Sequence, residues 1–89
     1  MPANDNRIPP PPFWRTGYFV GAMARPDRRA IDLDDVKRAL EQPTYTVVQT
    51  DGRRRNWIWA QSQQRWLRVI IERDGETVHN AFFDRNFKP

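Results

Sequence analysis

The 89-residue chain has no cysteine and a single histidine, and those two absences remove whole classes of chemistry. No disulfide framework and no thiolate zinc site can be built. A lone imidazole leaves only carboxylates and amides as companion ligands, so neither a metal site nor a cofactor is expected. Long apolar runs are missing as well. The longest, YFVGAMA, falls far short of the roughly 20 residues that cross a bilayer. The N-terminus lacks the basic-then-apolar pattern of a secretory signal, so a cytoplasmic protein with no membrane partner is expected. Lysine is nearly absent: Lys37 and Lys88 are the only two among fifteen basic residues.

What remains on the basic side is arginine. The net charge is +4 and the pI about 10.3. Guanidinium groups are planar forks that fit phosphate and stack on bases. The imbalance therefore points to a polyanionic partner, nucleic acid before a membrane surface, although small basic proteins can also be merely soluble. With 38% hydrophobic and 12% aromatic residues, one modest core is available and two are not.

Two kinds of segment precede the β-rich half. MPANDNRIPPPP (residues 1–12) holds most of the proline and little to bury, which predicts a flexible Pro-rich arm, with a polyproline ligand as the alternative. A single domain then spans 13–89. From Phe13 to Ala24, Trp14, Tyr18 and Ala22 recur at helical spacing, with Phe19 and Met23 beside them. Gly17 and Gly21 weaken that helix and Pro26 ends it; a short strand through Tyr18 to Val20 is the other reading. AIDLDDVKRALEQP is a clearer helix. Asp32 suits its N-cap, Asp35 the capping-box position, and Ile31 and Val36 a hydrophobic staple. Leu33, Val36 and Leu40 form its apolar stripe, and Pro43 follows its end.

Beyond Pro43 the period falls to two. TYTVVQT, RRRNWIWA, RWLRVIIER and ETVHNAFF read as four strands, with hairpin turns at Asp51-Gly52 and Asp74-Gly75. The expected fold is α+β: two N-terminal helices packed on one face of a four-stranded antiparallel meander sheet.

A two-residue turn at Asp74-Gly75 would pair Arg73 with Glu76, Ile71 with Val78, and Leu67 with Phe82. One face would then carry Leu67, Val69, Ile71, Val78 and Phe82, with Asn80 as its polar intruder. The other would carry Trp66, Arg68, Ile70, Glu72, Thr77, His79, Ala81 and Phe83. Arg68 and His79 would be diagonal neighbours, roughly 7–8 Å apart at the backbone, and could meet around one phosphate. In the preceding strand Arg53, Arg55, Trp57 and Trp59 share a face. Arginine alternating into tryptophan suits a stacking platform beside a phosphate contact, while the indoles alone suit a core.

The order ARPDRRAIDLDDVKRALEQP, TDGRRRNWIWA, RWLRVIIERDGETVHNAFFDR resembles the RelE/ParE toxin superfamily, closest to its small BrnT-like and uncharacterised branches, over about residues 22 to 85. The resemblance implies a RelE-like fold in a small basic toxin of a toxin–antitoxin pair. Many such proteins are mRNA interferases that cleave RNA without a metal, often on the ribosome. Others inhibit gyrase, and some have no known activity. It implies an antitoxin protein as a second partner, and it matches Arg68, His79 and Arg85 to the family's basic catalytic positions. The lysines of many relatives are nearly absent, and no tyrosine occupies the tail, where Phe82, Phe83 and Phe87 stand.

The expected activity is thus metal-independent endoribonuclease. His79 has the one side chain whose ordinary pKa lies near neutrality and would carry the proton. Arg68 and Arg85 would stabilise charge on the phosphate; Arg53, Arg54, Arg55 and Trp66 would bind the nucleic acid. Asp84 is a weaker candidate for the second proton transfer. The alternatives are a non-catalytic nucleic-acid- or protein-binding module of the same fold and an inhibitor of a nucleic-acid enzyme.

Overall fold

The computed structural model describes residues 14–15 and 17–89; the expected Pro-rich arm and Phe13 lie outside the described residues. The elements run β1 (Trp14–Arg15), α1 (Gly17–Met23), a 3-10 turn (Pro26–Arg28), α2 (Leu33–Glu41), β2 (Tyr45–Val48), β3 (Arg54–Ala60), β4 (Arg65–Ile71) and β5 (Thr77–Phe83). Strands β2 to β5 form the antiparallel meander, and β1 adds a two-residue parallel strand outside β5, giving the order β1-β5-β4-β3-β2. The molecule is α+β, with two helices over the sheet.

Local signals set α2. The Asp32 carboxylate accepts the Asp34 amide at 2.8 Å, satisfying one of the donors that every helix start leaves unmatched. Val36 and Ala39 are buried against the sheet and Leu33 and Leu40 pack at the margin. Helix α1 is shorter than its sequence predicts, because residues 14 and 15 pair with β5 instead of continuing the helix. Its buried side is also rotated by one residue: Phe19 and Ala22 enter the core while Tyr18 stays 55% exposed.

The core lies between the helices and one sheet face: Phe19, Ile31, Val36, Ala39, Ile58, Ala60, Leu67, Val69, Ile71, Val78 and Ala81. Asn56 is the buried polar side chain in this layer. Its amide donates to the Ala39 carbonyl at 2.9 Å and its oxygen accepts the Thr46 hydroxyl at 2.5 Å. Both ends are satisfied, which removes the cost of burying it. It also ties the last turn of α2 to the sheet.

Both hairpin turns place glycine at positive φ, +91° at Gly52 and +77° at Gly75, where other residues are strained. The second turn is wider than predicted. Glu72 and Thr77 close it through Glu72 N–H to Thr77 O at 2.8 Å, while Asp74 accepts the amides of Glu76 and Thr77 and the Thr77 hydroxyl.

Ile71 pairs with Val78 as predicted, but a β-bulge then shifts the register. Ile70 faces Asn80, Val69 faces Ala81, Arg68 faces Phe82 and Leu67 faces Phe83. The predicted pairing of Leu67 with Phe82 is therefore displaced by one residue. Ala81 and Phe83, not Asn80 and Phe82, join the core side. The physical reason lies in Asn80 itself. An unbroken alternation would drive its amide under the helices, where a polar group without partners costs about 1–3 kcal/mol. The extra residue, His79, absorbs the mismatch and turns Asn80 away from the core.

Candidate nucleic-acid interface

Register and alternation define the second face of the sheet. Trp57 sits between Tyr45 and Arg68, Trp59 beside Trp66, and Arg55 between Val47 and Ile70; Phe82 lies across from Arg68. Among the described residues no helix covers this face. The C-terminal segment does. Asp84 N–H bonds to the Trp66 carbonyl at 2.9 Å, and the chain turns so that the Phe87 ring stacks on Trp57 at 4.4 Å and 13°. Phe87 also meets Tyr45 and Trp66 edge-on, at 5.5 and 5.2 Å. Trp66 in turn makes edge contacts with Tyr45 and Trp59. Trp57 is thereby buried on the side opposite the helices, whereas Trp59 keeps 37% of its surface exposed.

Arg68 is built into this layer. Its guanidinium stands 4.6 Å from the Phe82 ring centre and 5.8 Å from that of Trp57. Its Nε is buried without a hydrogen-bond partner and lies 3.7 Å from an Asp84 oxygen; the same oxygen accepts the Trp57 indole N–H at 3.0 Å. Burial lowers the Arg68 pKa, the nearby Asp84 carboxylate works against that fall, and the Arg55 charge adds to it. A cation held this way is short of compensating negative charge.

At the outer margin of β5 a cleft of about 590 Å³ is lined by Asp27, Arg28, Arg65, Phe82, Phe83 and Arg85. Arg28 is fixed there. Its Nη1 donates to Asn80 Oδ1 and to the Ala81 carbonyl, each at 3.0 Å, and its Nε reaches Asp27 at 3.3 Å. The Arg28 guanidinium is 5.6 Å from the Phe82 ring centre, and that of Arg65 is 4.7 Å from the Phe83 ring centre. Three arginines thus line the cleft with one aspartate and two phenylalanines.

The residues predicted for catalysis and binding divide among separate places. Arg85 is on the cleft wall and Arg68 lies behind Phe82. His79 is elsewhere: its ring stacks on Tyr18 of α1 at 4.7 Å and 8°, and its Nδ1 is 3.0 Å from Glu72. The bulge displaces His79 three residues along β5 from the partner of Arg68, about 10 Å of strand, and the predicted diagonal contact around one phosphate does not form. Arg53 bonds the other Glu72 oxygen at 2.8 Å, a contact that raises its pKa. Arg55 bonds Gln49 at 3.0 Å, Arg54 is exposed, and Trp66 lies in the aromatic layer under Phe87.

Arg28, Arg65 and Phe82 escaped the sequence reading as site residues. Arg28 and Asn80 are 52 residues apart, and no local pattern announces such a pair. Among the described residues no group of three or more His, Asp or Glu side chains is placed to hold a metal ion, and no helix is long and apolar enough to cross a membrane. No family model, curated protein or solved structure matches the chain.

Proposed function

We propose that this chain is a RelE-like, non-catalytic RNA-binding module, taking a single strand along the cleft between the 3-10 turn and the end of β5. One observation carries this reading: Arg28, Arg65 and Arg85 surround Phe82 and Phe83 with Asp27 as the one acidic wall residue. Single strands are held by cations that track the phosphates and rings on which bases stack. A volume near 590 Å³ lies within the range of small-ligand sites and suits a nucleotide unit rather than a duplex. Arg28, Arg65 and Arg85 would contact phosphate, while the phenyl rings would offer stacking surface.

Fluorescence anisotropy with a labelled single-stranded RNA tests it. Each phosphate contact on a single strand contributes a slope of about −0.7 to log K against log salt. Arg65→Gln with Arg85→Gln should therefore flatten the slope by about 1.4 and leave the RNA length unchanged. An unaltered slope would refute the assignment of the cleft.

The His79–Glu72 contact favours a second reading. A carboxylate on Nδ1 fixes the imidazole and leaves Nε2 as the group to exchange a proton, and Arg53 is the guanidinium nearest that pair. In this version the chain is a metal-independent endoribonuclease of toxin type, with His79 as proton carrier and Arg53 in the role first assigned to Arg68. New RNA ends that vanish in both His79→Ala and Glu72→Gln, with binding retained, would establish it over the first reading.

A further inference from the structure

We infer that the outer edge of β2 is a self-association surface, at which a second copy of this chain pairs antiparallel to form one continuous sheet. The two edges of the sheet are treated differently. At one, β1 covers the start of β5 and the Arg28 guanidinium caps the Ala81 carbonyl. At the other, β2 has β3 as its neighbour and no further strand among the described residues. Its four residues Tyr45, Thr46, Val47 and Val48 are all exposed, with Val47 at 49% and Val48 at 63%.

Edge strands usually carry lysine, proline, an inward charge or a bulge that discourages pairing. Pro43 and an inward Thr44 N–H, bonded to the Trp57 carbonyl at 2.9 Å, lie before the strand. From Tyr45 through Thr50 there is no charge and no proline, the pairing with β3 is regular from Tyr45 to Val48, and the residues favour extended backbone. An uncharged strand on a basic chain offers nothing to a polyanion. It matches another strand equally free of charge, and its own copy is one. The opposite edge, with β1 over the start of β5 and Arg28 on the Ala81 carbonyl, is unlike it, so the open edge matches itself and closes about a two-fold axis.

The hydrogen bonding also selects a register. Gln49 N–H bonds to the Arg53 carbonyl, so by alternation Gln49, Val47 and Tyr45 spend their backbone groups on β3. Thr46 and Val48 direct theirs outward. A two-fold through Val47 pairs Thr46 of each copy with Val48 of the other, forming four inter-chain bonds. It sets the two Val47 residues opposite each other at a non-hydrogen-bonded position, where α-carbons are about 4.5 Å apart. Tyr45 then faces Gln49 of the second copy.

Two measurements on the full chain test this. Sedimentation equilibrium should show a monomer–dimer equilibrium that strengthens with salt, since screening relieves repulsion between two +4 chains. RNA binding would weaken under the same change, which keeps the two proposals separable. Val48→Pro removes an outward N–H that β3 does not use; it should preserve the circular dichroism spectrum while weakening the dimer about thirtyfold or more, two of four bonds being lost. In a chain without cysteine, Val47→Cys should cross-link two copies on mild oxidation, its α-carbon spacing being within disulfide range, whereas Tyr45→Cys should not. A monomer at every concentration and salt, or equal cross-linking at positions 45 and 47, would overturn the inference.

Discussion

Phe87→Ala puts the covering of the second sheet face to a direct test. The ring stacks on Trp57 and meets Tyr45 and Trp66 edge-on. Aromatic pairs contribute about 0.5–1.5 kcal/mol each beyond area burial, and burying about half of a phenylalanine adds about 1 kcal/mol. Freed rotation of the last residues offsets part of this. The expected loss is therefore about 2–3 kcal/mol, or a fall in Tm of about 10–20 °C for a domain of this size. Thermal unfolding by circular dichroism gives the magnitude, and a red shift in tryptophan emission reports Trp57 entering water. Phe87→Leu separates the causes: it keeps most of the apolar area and loses the ring geometry, so about half the destabilisation should return. A Phe87→Ala protein within about 0.5 kcal/mol of the parent, a change typical of surface sites, would refute the tail as a structural layer.

The remaining predictions concern single groups. Arg28→Met keeps an apolar stem but removes the bonds to Asn80 and Ala81; it should cost about 2 kcal/mol, seen as a lower urea midpoint at unchanged m, and should also weaken RNA binding. Asp74 has its pKa lowered by the Thr77 hydroxyl and then by the Thr77 and Glu76 amides. Its folded pKa lies below its unfolded value, so its contribution is present above the unfolded value, near 3.9, and fades as pH falls through the folded one. Asp74→Asn should thus lower stability at pH 7 and flatten the loss of stability seen on acidification below pH 4; an unchanged acid profile would remove Asp74 from that transition.

Where determinants were local, the sequence was readable. Asp32 names the start of α2, Pro43 marks its end, and the two Asp-Gly pairs mark hairpins, because caps and turns are satisfied within a few residues. The four long strands follow from their period. The end of α1 was also legible at Pro26, whereas its start was not: helical spacing from Trp14 could not compete with a pairing to Thr77 and Val78, residues far along the chain. Tyr18 and Phe19 show the consequence. The helix begins later and presents the neighbouring residue to the core.

Of the residues lining the cleft only Arg85 was expected from the sequence as a site residue, and the expected contact of Arg68 with His79 was misplaced by register, for which Asn80 accounts. Alternation through ETVHNAFF put Asn80 in the core and the imidazole beside Arg68, and that arrangement contained its own warning in a buried amide with no partner. The fold resolves it by bulging at His79. The shift returns Asn80 to a place where Arg28 and the Ala81 amide can bond its oxygen. The same shift carries Phe82 out of the core, between the guanidinium groups of Arg28 and Arg68, and so supplies the ring that lines the basic cleft. A polar residue in an otherwise apolar alternation is thus a reason to expect a register change at that point. Here the change separates His79 from Arg68 and brings Phe82 to the wall of the basic cleft.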